Sequence, residues 1–344
     1  MANIQDVAKH AGVSISTVSR VLNGTAKVNI DVRRRVEASM QALNYMPNPA
    51  ARSLRTNRSR IIGLLISDIQ NPFFMRLIQG VEEEALHHEY SLILCNSNEN
   101  PQREQQYLDV LYAERVAGAI IVPTRERLGE ATLSKFRERQ IPIVAVDRRV
   151  KDKDVDAVLV DNVRGAFEAI SHLITNGYRR IGAITGPMTV TTGRDRLEGY
   201  RQALFEAGIP HDPALERSGT FDAATGRRLT DELLELDPPV DAIFSGNNLL
   251  TLGALDAIHA HNLQVPNDIA LVGYDETYWS SLSSLSLTTV MQPAYELGRT
   301  AALRLFQHLQ NPSIHTRQEV VLAPTLEIRG SSLPKDVRQL KAQA

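Results

Sequence analysis

Residues 13–24, VSISTVSRVLNG, carry an unusual set of side chains for a solvent-facing helix. Val18, Val21 and Leu22 recur at helical spacing and can bury one face. The other positions are Ser14, Ser16, Thr17, Ser19 and Arg20, short hydroxyls around one long cation. An ordinary solvated face would carry lysines and glutamates, and no carboxylate is present here to repel a phosphate. Hydroxyls bond phosphate oxygens or base edges at close range. An arginine can bond guanine bidentately, and Ile15 can touch a thymine methyl. The chemistry on offer is readout of the major groove of DNA.

A second set of polar residues follows short apolar runs. Asp68 and then Asn71-Pro72-Phe73-Phe74 follow 61–67, and Asp147 with Arg148 follows 141–146. The loop 186–196, which holds Thr192 and ends at Arg196, follows 180–185. Asn247 and Asn248 follow 240–245, and Tyr274 with Asp275 follows 268–273. Carboxylates, amides and guanidinium groups can bond several hydroxyls while Phe73 and Phe74 stack on a ring face, which suits a small polyol or sugar. Any one of these residues could serve as a helix cap or loop residue instead. Five strand ends with the same chemistry favour a binding site.

Both sets need rigid supports. In residues 1–47 three short helices can be read. Asn3 can cap IQDVAKHA, whose Ile4, Val7, Ala8 and Ala11 share a face. Gly12 and Val13 make a tight turn, and Ser14 can cap the second helix, which reaches about Leu22. Asn29 can cap the third, with Val32, Val36, Met40 and Leu43 as its apolar stripe. Two short helices joined by a glycine turn and closed by a third form a helix-turn-helix unit. Pro47 and Pro49 then break the third helix. Asn48 can cap a new one of under two turns, too short to be stable alone. Arg52, Arg55, Arg58 and Arg60 make this linker basic, and Leu54 is an apolar side chain suited to minor-groove insertion.

From residue 61 onward, eight apolar runs alternate with helical stretches: 61–67, 91–95, 117–122, 141–146, 156–161, 180–185, 240–245 and 268–273. Near-continuous Val, Ile and Leu runs mark buried parallel strands, and the alternation implies doubly wound α/β architecture in two similar halves. Ligands of such folds bind beyond the carboxyl ends of the strands, where the second polar set lies.

Charge separates head from body. Residues 1–60 hold ten lysines and arginines against three carboxylates, while the remaining residues hold 28 against 37. A basic head on an acidic body points to a polyanion partner for the head alone. No apolar run approaches the roughly 20 residues a bilayer needs. The N-terminus shows no secretory pattern, and the single Cys95, inside an apolar run, fits a reducing compartment. A cytoplasmic protein without cofactor or metal is expected. Phosphate-cradling glycine loops, zinc-binding histidine pairs and nucleophile elbows are not found, so no enzyme is expected.

The blocks DVAKHAGVS, TVSRVLN and LNYMPN…ARSL, in this order and spacing, resemble the DNA-binding headpiece and hinge of the lactose-repressor (LacI-type) family. IGLLISDIQNPFF, IPIVAVDR, GYRRIGAITG, FSGNN, DIALVGYDE and TTVMQP extend the resemblance to about residue 330 and, through it, to periplasmic sugar-binding proteins. The resemblance implies an all-α helix-turn-helix headpiece (1–47), a hinge helix and linker (48–60) and a two-lobe α/β body. The first lobe would be 61–161 plus 291–320, the second 162–290 plus 321–330, and 331–344 a polar tail. Ile15, Ser16 and Arg20 would be the principal base readers, with Ser14, Thr17, Ser19 and Asn23 beside them. Asn48, Ala51 and Arg55 would contact DNA from the hinge, and Leu54 would wedge into a central base step. The cleft set would be Asp68, Asn71, Phe73, Phe74, Asp147, Arg148, Thr192, Arg196, Phe221, Asn248, Asp275 and Gln292. The implied function is a homodimeric repressor of a pseudo-palindromic operator, controlled by a small sugar or sugar derivative. The alternatives are a purine or phosphorylated co-repressor, or a sugar-binding transport protein. Asp147-Arg148 with Asn248 is similar to sugar-binding members. Purine-binding members carry an aromatic after that aspartate and an arginine in place of Val190.

Overall fold

The computed structural model describes residues 2–22, 28–45, 59–153, 155–276, 286–311 and 317–334, divided between two compact units, Met1–Ser59 and Arg60–Ala344.

The small unit is built from α1 (Ile4–Ala11), α2 (Ile15–Leu22) and α3 (Ile30–Ala42). Asn3 Oδ1 accepts from the N–H groups of Gln5 and Asp6, and the Asp6 carboxylate accepts from the Asn3 N–H at 2.8 Å, a reciprocal cap. Gly12 stops α1 in the left-handed region at φ +63°, where a side chain is strained. Arg35 of α3 donates to the carbonyls of Ala11 at 2.7 Å and Gly12 at 3.2 Å, tying the turn to the third helix. Val7, Ala8, Ala11, Val18 and Val36 form the core, with Met40 and Leu43 packed against it. Asn23 and the hinge helix expected over 48–55 lie outside the described residues.

In the large unit, β1 (Ile61–Ile66), α4 (Pro72–His87), β2 (Ser91–Asn96), α5 (Pro101–Ala113), β3 (Gly118–Ile121), α6 (Glu130–Glu138), β4 (Ile143–Val146) and β5 (Asp156–Val160) make most of the first lobe. The second lobe follows with α7 (Asn162–Thr175), β6 (Ile181–Thr185), α8 (Thr191–Glu206), β7 (Glu216–Ser218), α9 (Ala223–Leu234), β8 (Ala242–Ser245), α10 (Asn248–Ala260), β9 (Ala270–Tyr274) and β10 (Thr288–Met291). The chain then returns to the first lobe through α11 (Ala294–Gln310) and β11 (Glu319–Leu322), and crosses back for β12 (Thr325–Glu327). The sheets run β2-β1-β3-β4-β5-β11 and β7-β6-β8-β9-β10-β12, the same order twice. Neighbours are parallel except β10 with β12. Helix α11 packs on α4 closely enough that a Cβ at Gly80 would meet the Tyr295 backbone and one at Gly298 the Leu77 backbone.

All eight apolar runs coincide with strands; seven are trimmed at one or both ends, while β2 covers all of 91–95 and runs on to Asn96, and β9 runs on to Tyr274. β7, β10, β11 and β12 were not expected as strands. β11 and β12 alternate between half-buried and exposed residues and show no continuous apolar run. In β10 the signal is hidden by buried polar residues. The Thr288 hydroxyl meets Ser332 Oγ at 2.7 Å, and Thr289 Oγ1 donates to Glu276 at 2.7 Å. The lobe boundaries also move. β11 reaches Leu322, two residues past the expected limit of 320. Residues 331–333, expected in the polar tail, belong to the second lobe. Ser331 Oγ donates to the Leu271 carbonyl at 2.6 Å, Ser332 Oγ bonds His172 Nε2 at 2.7 Å, and the Tyr178 hydroxyl donates to the Leu333 carbonyl at 2.8 Å. Polar composition misled there because these side chains are buried and satisfied.

Candidate functional site

The carboxyl ends of the two sheets meet at a cleft between the lobes. Eleven of the twelve expected cleft residues line it, together with Glu99 and Asn247, and the twelfth, Asn248, borders it through a bond to Asn71.

Asp147 and Asp275 leave β4 and β9, equivalent strands in the two sheets, at φ +69° and +70°. A left-handed turn at a residue with a side chain costs about 1–2 kcal/mol. Both carboxyl groups are buried, and burial raises both pKa values. Asp147 is pushed up to about 6 although Arg148 and Arg196 pull the other way. Asp275 Oδ1 accepts from Gln292 Nε2 at 2.5 Å.

Each lobe also supplies a buried arginine. Arg148 forks onto Glu99, Nη1 to Oε2 at 2.7 Å and Nη2 to Oε1 at 2.5 Å, and its guanidinium lies 5.6 Å from the Phe221 ring of the other lobe. Arg196, from the first turns of α8, donates Nε–H to Asn162 Oδ1 at 2.8 Å and Nη1–H to the Gly246 carbonyl. It lies over the Tyr274 ring at 3.8 Å, so Tyr274 serves as a buried platform.

Caps double as cleft walls. Asn71 Oδ1 accepts from the Phe73 N–H at 2.9 Å, capping α4, and from Asn248 Nδ2 at 2.8 Å across the lobes. Asn247 caps α10 by accepting from the Leu250 N–H at 2.8 Å. Asp68 accepts from the Gln70 N–H at 2.9 Å, and burial raises its pKa. Phe73 and Phe74 meet edge to face at 5.1 Å, both buried. Two more contacts join the lobes: the Arg149 N–H donates to Thr191 Oγ1 at 3.0 Å, and Arg194 pairs with Glu126.

Five buried cleft atoms have no hydrogen-bond partner in the protein: Asp147 Oδ1, Arg148 Nε, Thr192 Oγ1, Asn248 Oδ1 and Gln292 Oε1. Buried polar atoms are almost always hydrogen-bonded, and leaving one unmade costs about 1–3 kcal/mol. The cleft therefore offers three acceptors, one N–H donor and a hydroxyl.

Glu99 is not among the expected residues, which follow the runs ending at 67, 146, 185, 245 and 273. The same rule applied to the run 91–95 reaches it, in a turn where Asn98 and Glu99 both stand at φ +54°.

In the small unit, Ser14 Oγ accepts from the Thr17 N–H at 3.2 Å and lies 2.8 Å from the hydroxyls of Ser16 and Thr17, so the cap also orders a chain of hydroxyls. Ile15, Ser16 and Arg20 are exposed, Thr17 and Ser19 are half-buried, and Val18 lies beneath them in the core. Asn23, Asn48, Ala51, Leu54 and Arg55 fall outside the described residues.

The family described as bacterial regulatory proteins, lacI family, matches residues 3–48, and that described as periplasmic binding proteins and sugar binding domain of LacI family matches 59–328. The chain belongs to the LacI family. This LacI-family regulator is 37% identical over 332 residues to the ribose operon repressor of Escherichia coli, covering 96% of this chain and 100% of the relative. It is 35% identical to the transcriptional repressor PurR of Pasteurella multocida, covering 96% and 98%. The structure of the lac repressor dimer bound to operator and the anti-inducer ONPF matches with a TM-score of 0.85 at 29% identity, over 96% of this chain and 99% of that one. Among the described residues no helix is long and apolar enough to cross a membrane.

Proposed function

We propose that this LacI-family protein is a homodimeric cytoplasmic repressor. It reads a pseudo-palindromic operator through α2 and releases it when a small sugar occupies the cleft. The sugar is bound and let go unchanged. Identity to a ribose operon repressor and to PurR is nearly equal, so overall similarity does not choose the ligand. The cleft does. The observation that carries the reading is the set of five unpartnered buried atoms, contributed by both lobes. Sugar hydroxyls each donate and accept, which matches a mixed set of three acceptors, one donor and a hydroxyl.

Mechanism follows from the same contacts. Asn71 with Asn248 and Arg149 with Thr191 define the closed arrangement. A ligand bonded to both lobes adds to these contacts and shifts the population toward closure. Closure alters the linker between body and head, and a hinge helix marginal by itself amplifies a small geometric change. Coupling is reciprocal, so operator changes sugar affinity by the factor by which sugar changes operator affinity.

Thermal unfolding against pentoses, hexoses, disaccharides, sugar phosphates and purines tests the ligand, since a native-state ligand raises the midpoint. A free sugar, with pentoses the first to try, is the expected hit, and a purine hit would overturn the reading. For the head, Arg20→Ala should relax preference at one base position in each half-site. An unchanged profile of selected sites would refute that role.

A further inference from the structure

The first-lobe wall of the cleft is dominated by acids around one arginine. Both Nη atoms of Arg148 are taken by Glu99, and the Asp147 carboxylate lies 3.7 Å from its Nε. Behind them Glu104, fully buried, accepts from the Thr124 N–H at 2.6 Å, and Arg125 approaches it from the solvent side at 3.5 Å. The charges of Glu99, Asp147 and Glu104 all favour the Arg148 cation. Across the whole cleft, four carboxylates (Asp68, Glu99, Asp147 and Asp275) line the same space as two guanidinium groups.

Phosphate and carboxylate ligands are characteristically gripped by the two-pronged fork of an arginine. Here that fork is occupied. Arg148 Nε is buried and has no hydrogen-bond partner, the Asp147 carboxylate standing 3.7 Å away, and it can give one hydrogen bond, as to a hydroxyl oxygen. We infer that Glu99 is the selectivity residue of the cleft. It occupies the Arg148 fork, so phosphorylated and carboxylated sugars are barred and a single N–H is left for a neutral one. Glu99 also fixes the plane of the guanidinium opposite Phe221. The inference rests on the sugar reading of the cleft and narrows it to uncharged sugars.

The test uses the full chain, with D-ribose, D-ribose 5-phosphate and inorganic phosphate as probes, by calorimetry and thermal unfolding. The wild type should bind neither anion. Glu99→Ala should bind D-ribose 5-phosphate and phosphate at least about tenfold more tightly than the wild type, because a unit charge next to the fork is gone. Glu99→Gln should gain in the same direction but less, since its amide oxygen still holds one prong. Adding Arg148→Gln should abolish both gains, and Glu99→Asp should keep the exclusion. Wild-type binding of D-ribose 5-phosphate as tight as that of any free sugar would overturn the inference, and that arm needs no variant to fold. Folded variants that gain no anion affinity and only lose sugar affinity would also overturn it, leaving Glu99 a structural residue. Failure of every free sugar to bind, with the anion gain present in Glu99→Ala, would sink the sugar reading and keep the role of Glu99. Sugar binding without any anion gain would do the reverse.

Discussion

The two lobes place the same groups at the same point of the same fold and hold them by different means. Each sheet turns an aspartate into the cleft at a positive φ, and each lobe adds a buried arginine. In the first lobe the arginine is next in sequence to the aspartate and is clamped by a carboxylate. In the second it arrives from a different helix and is held by an amide oxygen, a backbone carbonyl and an aromatic face. Arg148 is thus neutralised within its own lobe. The charge of Arg196 acts on Asp275 and, added to the larger effect of Arg148, on Asp147, lowering the cost of burying both. Duplicated topology has not duplicated the electrostatics. The second lobe supplies a cation without a carboxylate clamp of its own and the first lobe the charge filter.

The largest expected effect separates the two arginines. Arg196→Ala leaves Asp275 buried without its principal cation and should cost about 3–5 kcal/mol in denaturant unfolding. Arg148→Ala should cost about 1–3 kcal/mol, since Glu99 is half-buried and can rehydrate and the buried Asp147 keeps Arg196 as a second cation. Equal losses would break the asymmetry.

Next comes pH. Asp147 binds its proton more tightly folded, with a pKa of about 6, than at its ordinary 3.8. The folded state therefore holds more protons between those values. The stability that this group contributes is full below about 4, declines as pH rises to about 6 and is gone above. A hydroxyl donating to the ionised carboxylate reverses the preference. Sugar affinity should fall as pH drops below about 6, by at most about tenfold per unit. Calorimetry from pH 5 to 8 reads the slope, and Asp147→Asn should flatten it. A slope unchanged in that variant would assign the proton to Asp275, in the other lobe.

The smallest effect sharpens where the lobes touch. Asn248→Ala removes the buried bond to Asn71 and should weaken sugar binding by about 1 kcal/mol. Small-angle scattering should show a more open body without ligand. No change in either would place closure on the Arg149 to Thr191 contact.

Local signals settle a large part of this protein. Asn3, Ser14 and Asn29 each precede a helix and accept its first N–H groups, Gly12 takes the left-handed turn, and eight apolar runs become strands. Because a parallel strand has a direction, the residue after each run is already known to face the ligand end of the sheet. That is how Asp147, Asn248 and Asp275 could be named. Glu99 follows the same logic one turn further on. The threonines of β10 and the serines at 331 and 332 did not read as core, since their polarity is cancelled only by partners brought from elsewhere.

Those partners are the part that only tertiary structure decides. Glu99 reaches Arg148 across 49 positions, Ser332 reaches His172 across 160, and Asn71 reaches Asn248 across 177. A helix cap or an apolar run is specified by neighbours a few residues away, so it is written in the chain. Asn71 meets Asn248 only because three crossovers bring two sheets together, and Glu99 meets Arg148 only because the order β2-β1-β3-β4 sets both strand ends on one edge of one sheet, and no local pattern records either distance. Which arginine is neutralised, and hence which ligand charge the cleft accepts, is settled there.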